Sequence, residues 1–158
     1  MYCNLYKIYV LSIISYGFSF YFTTSKINMQ KLEKIQKYFT RRLFDRIYGK
    51  NSRPEYSERL KLFDLLSLES FCVQSDLLLL FRLLNNQIYS EFRPIFSKHK
   101  PTRFIFRSGM SSAYRNSFFH RSLVLWNKYV SPEFDASPSD PKAFISFLIA
   151  HRSDFSLW

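Results

Sequence analysis

Glycine is scarce in this sequence, with three residues in 158, and this scarcity excludes one class of binding site. A loop that cradles phosphate with backbone N–H groups needs several glycines at fixed spacing. The chain also has no HExxH, GxSxG or CxxC motif and no close pair of carboxylates at a predicted strand end. We therefore expect neither a catalytic site of the chain's own nor a cofactor.

Cysteine and histidine are equally few. Cys3 and Cys72 stand far apart and lack the spacing of metal ligands, which predicts buried thiols in a reducing, intracellular compartment, nuclear or cytoplasmic, rather than a disulfide framework. His99, His120 and His151 are also widely separated, so no metal site is expected.

Positive charge and aromatic rings are what the chain has in excess. Lys and Arg number 23 against 12 acidic residues, the net charge is +11, and aromatic residues make up 20% of the sequence. A balance this basic favours nucleic acid, an anionic membrane or an acidic protein as the partner. Aromatic rings suit either a packed core or a surface on which bases stack.

The segment from Ile27 to Tyr48 predicts an amphipathic helix. Four apolar residues recur at helical spacing: Leu32, Ile35, Phe39 and Leu43. Three basic residues lie opposite that stripe: Lys34, Lys37 and Arg41. Such a helix can dock on a core with one face and hold a polyanion with the other.

Residues 1–25 predict a buried helix that ends near or shortly after Gly17. No charged residue occurs from Ile8 to Phe22, but this window is shorter than the roughly 20 residues that a membrane span needs. Serines and Gly17 dilute it further. A membrane anchor over residues 1–23, followed by a basic cytoplasmic domain, is the alternative interpretation.

The remaining chain predicts four more helices. These are a short one opened by Pro54 and running through Phe63, one over Leu68–Leu84 capped by Ser67, one capped by Ser117, and a last one over Ala143–Ala150 with Pro141 in its first turn. The predicted fold is therefore mainly α, a bundle of about five to six helices. A small hairpin is predicted within 103–116, where residues 103–106 would pair with residues near Ala113 and Tyr114. We expect a single domain, with residues 91–158 packed on residues 1–90.

The window from Phe92 to Pro132 contains no acidic residue. It has eight basic ones: Arg93, Lys98, Lys100, Arg103, Arg107, Arg115, Arg121 and Lys128. A long stretch without neutralising acids favours contact with a polyanion.

Six short blocks follow one another along the chain. They are Leu5-Tyr6-Lys7 with Tyr9-Val10 and Ser15-Tyr16-Gly17, Leu32 to Gln36 with Thr40-Arg41-Arg42, Tyr56 to Lys61, Leu65 to Glu69, Asp76-Leu77 with Phe81, and Arg115 to Arg121 running on to Leu125-Trp126-Asn127. Their order resembles the carboxy-terminal part of the reverse transcriptase of non-long-terminal-repeat, LINE-like retrotransposons of the jockey and chicken-repeat kind. The resemblance implies that residues 1–90 are a thumb-like helical region, which in the parent enzyme grips the template-primer duplex.

The chain departs from that family at two places. Phe18 to Phe22 stand where the family has a tryptophan flanked by prolines, and Tyr129-Val130 stand where it has a Leu-Pro step. The resemblance also places Met1 in mid-course of the parent enzyme and its metal-binding aspartates upstream, in the palm. It therefore implies a fragment that does not polymerise and for which the missing palm is a partner.

The sequence thus predicts a protein that binds the backbone of an RNA or DNA duplex without sequence preference, and no membrane partner. The residues predicted to contact phosphate are Lys34, Lys37, Arg41, Arg42, Arg115 and Arg121. A translated relic that has no function is the second alternative, besides the membrane-anchored protein.

Overall fold

A computed structural model describes residues 2–21, 26–50, 52–88, 94–99, 103–106, 111, 114, 117–132, 140–151 and 155. In these ranges the chain forms six helices and no β-sheet, so the predicted mainly α bundle is confirmed. Helix α1 consists of three consecutive segments, Tyr2–Leu5, a π-helical turn Tyr6–Leu11 and Ser12–Tyr21. The others are α2 (Lys26–Tyr48), α3 (Tyr56–Leu62), α4 (Leu68–Leu84), α5 (Phe118–Leu125, continued by a π-helical turn Trp126–Val130) and α6 (Pro141–Ala150).

Local capping chemistry sets where these helices begin. The hydroxyl of Ser67 accepts from Ser70 N–H at the start of α4, and that of Ser117 accepts from His120 N–H at the start of α5. Asp140 caps α6 ahead of Pro141. Because an N-cap satisfies a backbone donor that the helix itself cannot, these residue types mark the boundaries in the sequence. The predicted caps Ser67 and Ser117 are confirmed.

Helix α1 runs through Gly17 and is not buried on all sides. Tyr6 and Leu11 are buried, whereas Tyr9, Ile13 and Tyr16 are exposed. The prediction of a buried helix is therefore wrong for the face that carries Tyr9, Ile13 and Tyr16. Within the described ranges, none of the helices combines the length and the apolar character needed to cross a bilayer.

The chain divides into two compact units, an N-terminal unit (Met1–Cys72) and a C-terminal unit (Val73–Trp158), and the division falls within α4. The predicted packing of residues 91–158 on residues 1–90 stays a prediction. The C-terminal unit has a continuous apolar core from α4, α5 and α6, in which Phe144 stacks on Phe81 with 4.3 Å between ring centroids and on Trp126 at 5.6 Å.

The predicted hairpin has a different partner. Phe104 pairs with Phe96, upstream of it, in an isolated antiparallel bridge, rather than with residues near Tyr114; Ala113 lies outside the described residues. The side chain of Asn127 in α5 fixes this pair, because its amide oxygen accepts from Phe104 N–H and its amide nitrogen donates to Phe104 C=O, both at 2.9 Å. The amide of Asn127 thus makes the two backbone hydrogen bonds that a neighbouring strand would otherwise make with Phe104.

Candidate nucleic-acid interface

The inward face of α2 is polar at its centre. Gln36 and Thr40 are fully buried and Leu43 is nearly so, whereas Ile35 is 57% exposed. The predicted apolar stripe is therefore wrong at Ile35, whereas its member Leu43 is buried and its members Leu32 and Phe39 are half-buried. A glutamine can replace an aliphatic residue at the centre of a docked face when every polar atom of its amide has a partner.

Gln36 has those partners. Its amide oxygen accepts from the hydroxyl of Tyr6 at 3.1 Å, and its amide nitrogen donates to Leu66 C=O at 2.6 Å and to the hydroxyl of Tyr56 at 3.1 Å. The Tyr56 hydroxyl donates in turn to Glu33, whose other carboxylate oxygen accepts from Leu68 N–H at 2.9 Å. This polar chain, made of Tyr6, Gln36, Tyr56, Glu33 and Leu68 N–H, joins α2 to α1, to α3 and to the start of α4.

The interior setting shifts the acidities of the polar chain. Burial raises the pKa of the Glu33 carboxyl, although its hydrogen bonds with Tyr56 and Leu68 and the charge of Lys37 oppose the rise. Burial, helped by the Glu33 charge, raises the pKa of the Tyr6 hydroxyl to about 12. The hydroxyls of Tyr6 and Tyr56 thus remain protonated donors at neutral pH. The direction of the hydrogen bonds along the polar chain is therefore fixed.

The outward face of α2 holds four of the predicted phosphate contacts. We call these four residues the basic face, and all are exposed: Lys34, Lys37, Arg41 and Arg42. The two acids of the helix make their hydrogen bonds elsewhere, although the charge of Glu33 still acts on Lys37 and that of Asp45 on Arg41. Glu33 belongs to the polar chain, and Asp45 is held by Arg53 through two hydrogen bonds of 2.6 and 2.9 Å. The Arg53 guanidinium also keeps the pKa of the Asp45 carboxyl below its usual value.

Aromatic rings contact two of these cations. The Arg42 guanidinium lies 5.8 Å from the centroid of the Tyr38 ring, and Tyr38 is 63% exposed. The Lys37 ammonium lies 5.1 Å from the ring centroid of Tyr56. Cation–π contacts of this kind hold a long side chain in place while leaving N–H groups for an anion.

A cleft of about 430 Å³ opens beside the basic face. Its walls come from the start of α1, the second half of α2 and the segment that follows it: Tyr2, Phe39, Arg42, Leu43, Asp45, Arg46 and Lys50. The Arg46 guanidinium lies 5.0 Å from the centroid of the Tyr2 ring. The sequence interpretation did not select Arg46 or Lys50 as phosphate contacts, although the four-residue spacing of Arg42 and Arg46 was a readable signal that both lie on one face of the helix.

The two remaining predicted phosphate contacts are Arg121 and Arg115. Arg121 is buried, and its guanidinium donates to Asp76 at 2.7 Å, where the carboxylate is fully buried. The prediction that Arg121 contacts phosphate is therefore wrong, because its guanidinium forms a buried ion pair inside the C-terminal unit. Arg115 lies outside the described residues.

The acid-free window is only partly described. Lys98, Arg103 and Lys128 are exposed, while Arg93, Lys100 and Arg107 lie outside the described residues.

In the part of the chain that the structure covers, no three His, Cys, Asp or Glu side chains are grouped as metal ligands would be. Cys3 and Cys72 are not joined in a disulfide.

Comparisons with protein-family models, with curated proteins and with solved structures found no match for this chain. The resemblance to a reverse transcriptase thumb therefore stays a prediction from the sequence blocks. Several polar residues of those blocks make interior hydrogen bonds: Tyr6, Glu33, Gln36 and Tyr56 build the polar chain, and Asp76 pairs with Arg121.

Proposed function

We propose that this chain binds the phosphate backbone of a nucleic-acid duplex, without sequence preference, through the basic face of α2. The observation that carries the proposal is the exposure of Lys34, Arg41 and Arg42 on a helix whose two acids are engaged elsewhere. Each phosphate that a lysine or arginine neutralises releases condensed counterions, so a cationic face of this kind gains affinity from any duplex.

The polar chain supports the proposal because it orients the helix. Hydrogen bonds are directional, and those of Gln36 connect α2 to segments some 30 residues away on either side. With the helix rotation fixed, the basic face is a permanent feature rather than one that forms on binding. Pre-arranged cations lose less conformational entropy when a ligand arrives.

The proposal includes the ancestry that the sequence blocks imply, the thumb-like region of a LINE-like reverse transcriptase. Polymerisation is not part of it. The grip on a duplex is the activity that a thumb-like region contributes to such a parent enzyme.

The decisive experiment measures the affinity of the purified chain for a fluorescent RNA–DNA duplex between about 50 and 200 mM salt. The variant Lys34→Gln/Lys37→Gln/Arg41→Gln should flatten the slope of log affinity against log salt by up to about three, since each lost contact removes roughly one. Lys61→Gln/Lys98→Gln/Lys142→Gln is the matched control, because it removes the same charge from exposed positions outside α2. Equal flattening by both triple variants would show that net charge, and not the basic face, provides the affinity.

A further inference from the structure

The cleft beside the basic face combines charge with aromatic surface in one place. Arg42, Arg46 and Lys50 contribute three cations, while the carboxylate of Asp45, the one acid in the wall, is engaged by Arg53. Its volume of about 430 Å³ lies within the ~300–1,000 Å³ typical of small-molecule sites. A straight duplex is too wide to enter, so the cleft requires a smaller occupant than the basic face does.

The aromatic residues of the cleft differ in availability. Phe39 stacks on Tyr6 with ring centroids 4.1 Å apart, so one face of its ring is already covered. Tyr2 is 43% exposed and contacts the Arg46 guanidinium. A guanidinium held against a ring still presents its N–H edge to an anion, and the exposed part of the Tyr2 ring offers a surface on which a base can stack.

We propose that this cleft takes one unpaired nucleotide of a bound strand, with the base against Tyr2 and the phosphate at Arg42 and Arg46. The inference rests on the proposed function, since it takes a nucleic acid held by the basic face as the ligand. It adds a substrate class, because a duplex with an overhang or a junction supplies an unpaired nucleotide and a blunt duplex does not. Arg42 belongs to both surfaces and makes them continuous.

The test compares three ligands with equal numbers of phosphates: a blunt duplex, a shorter duplex with a three-nucleotide overhang, and the same overhang without its bases. A stacked base contributes a factor of roughly 5 to 150 in affinity. We expect the normal overhang to bind at least about fivefold more tightly than the other two. Equal affinity for all three would overturn the inference and leave the proposed function standing.

Variants locate the effect. Tyr2→Ala should abolish the preference for the overhang while leaving the blunt duplex unaffected, and Tyr2→Phe should keep it, because the ring and not the hydroxyl is required. Tyr16→Ala is the matched control, since Tyr16 is an exposed tyrosine of α1 outside the cleft. A preference that survives Tyr2→Ala would overturn the inference.

Two further outcomes separate the hypotheses. If the unmodified protein binds none of the duplexes, the proposed function and the inference are overturned together. Adenosine monophosphate alone tests the other source of the same chemistry, a free nucleotide. Tyr2-dependent binding of it as tight as that of the overhang would assign the cleft to a free ligand and overturn the preference for strands.

Discussion

The interiors of the two units are stabilised by different kinds of interaction. At the centre of the N-terminal unit, the fully buried Gln36 makes three hydrogen bonds to α1, α3 and the segment before α4. At the centre of the C-terminal unit, Phe144 stacks on Phe81 and on Trp126 inside a large apolar cluster. Apolar burial is non-directional, whereas a saturated amide fixes one helix rotation. The unit with the basic face thus has the interior that specifies orientation.

The interior of the C-terminal unit also contains a buried ion pair, formed by Asp76 and Arg121. Removal of one partner leaves a buried charge uncompensated, which typically costs 3–5 kcal/mol. We therefore expect Arg121→Met to lower the free energy of unfolding by about 3–5 kcal/mol in chemical denaturation. The double variant Asp76→Leu/Arg121→Met should recover most of that loss. A single variant as stable as the unmodified protein would show that the pair is not an interior feature.

The apolar core of the C-terminal unit can be tested at adjacent positions of α6. Leu148 is 2% exposed and its neighbour Ile149 is 54% exposed. We expect Leu148→Ala to destabilise by about 2–5 kcal/mol through lost burial and the cavity that remains. Ile149→Ala should change stability by no more than about 0.5 kcal/mol. Thermal melts of both variants would contradict the described core if the two losses were similar.

The hydrogen-bonded interior of the N-terminal unit should respond to Gln36→Met. The substitution keeps the approximate volume of the side chain but leaves Leu66 C=O without this donor and Tyr6 without this acceptor. We expect a loss of about 1–3 kcal/mol, the usual cost of a stranded buried polar group. If the polar chain also sets the rotation of α2, the salt slope of duplex binding should become shallower. A stabilised variant with unchanged binding would show that the interior works equally well without directional bonds.

The smallest expected effect is a pH dependence that arises from Glu33. Its native pKa is raised above the ordinary value of 4.5, so the folded state binds a proton more readily than the unfolded state does. Stability from this group therefore falls as pH rises from about 4.5 through the raised native pKa. Glu33→Gln should remove that slope and cost about 1 kcal/mol, because Glu33 accepts hydrogen bonds with both carboxylate oxygens and the amide nitrogen of glutamine cannot accept one. Urea titrations of both proteins across this pH range would contradict the assignment if the two profiles ran parallel.

The predicted phosphate contacts illustrate how much residue type alone can predict. Lysine and arginine on α2 were correctly expected to face outward, because the helix has a long run of cations and those need water. Arg121 has the same chemistry and the opposite fate. Its partner Asp76 is 45 residues away, and nothing in the local pattern distinguishes an arginine that pairs inside from one that faces solvent.

The sequence by itself determined where α4, α5 and α6 begin, since Ser67, Ser117 and Pro141 act on backbone groups within a few residues of themselves. It also determined the excess of positive charge and the absence of familiar catalytic motifs. Only the tertiary structure decided that Gln36 rather than Ile35 lies inward, that Phe104 pairs with Phe96, and that the cleft combines Tyr2 with Arg46. The reason is physical: caps are local interactions, whereas burial of a polar group depends on whether distant segments supply its hydrogen bonds.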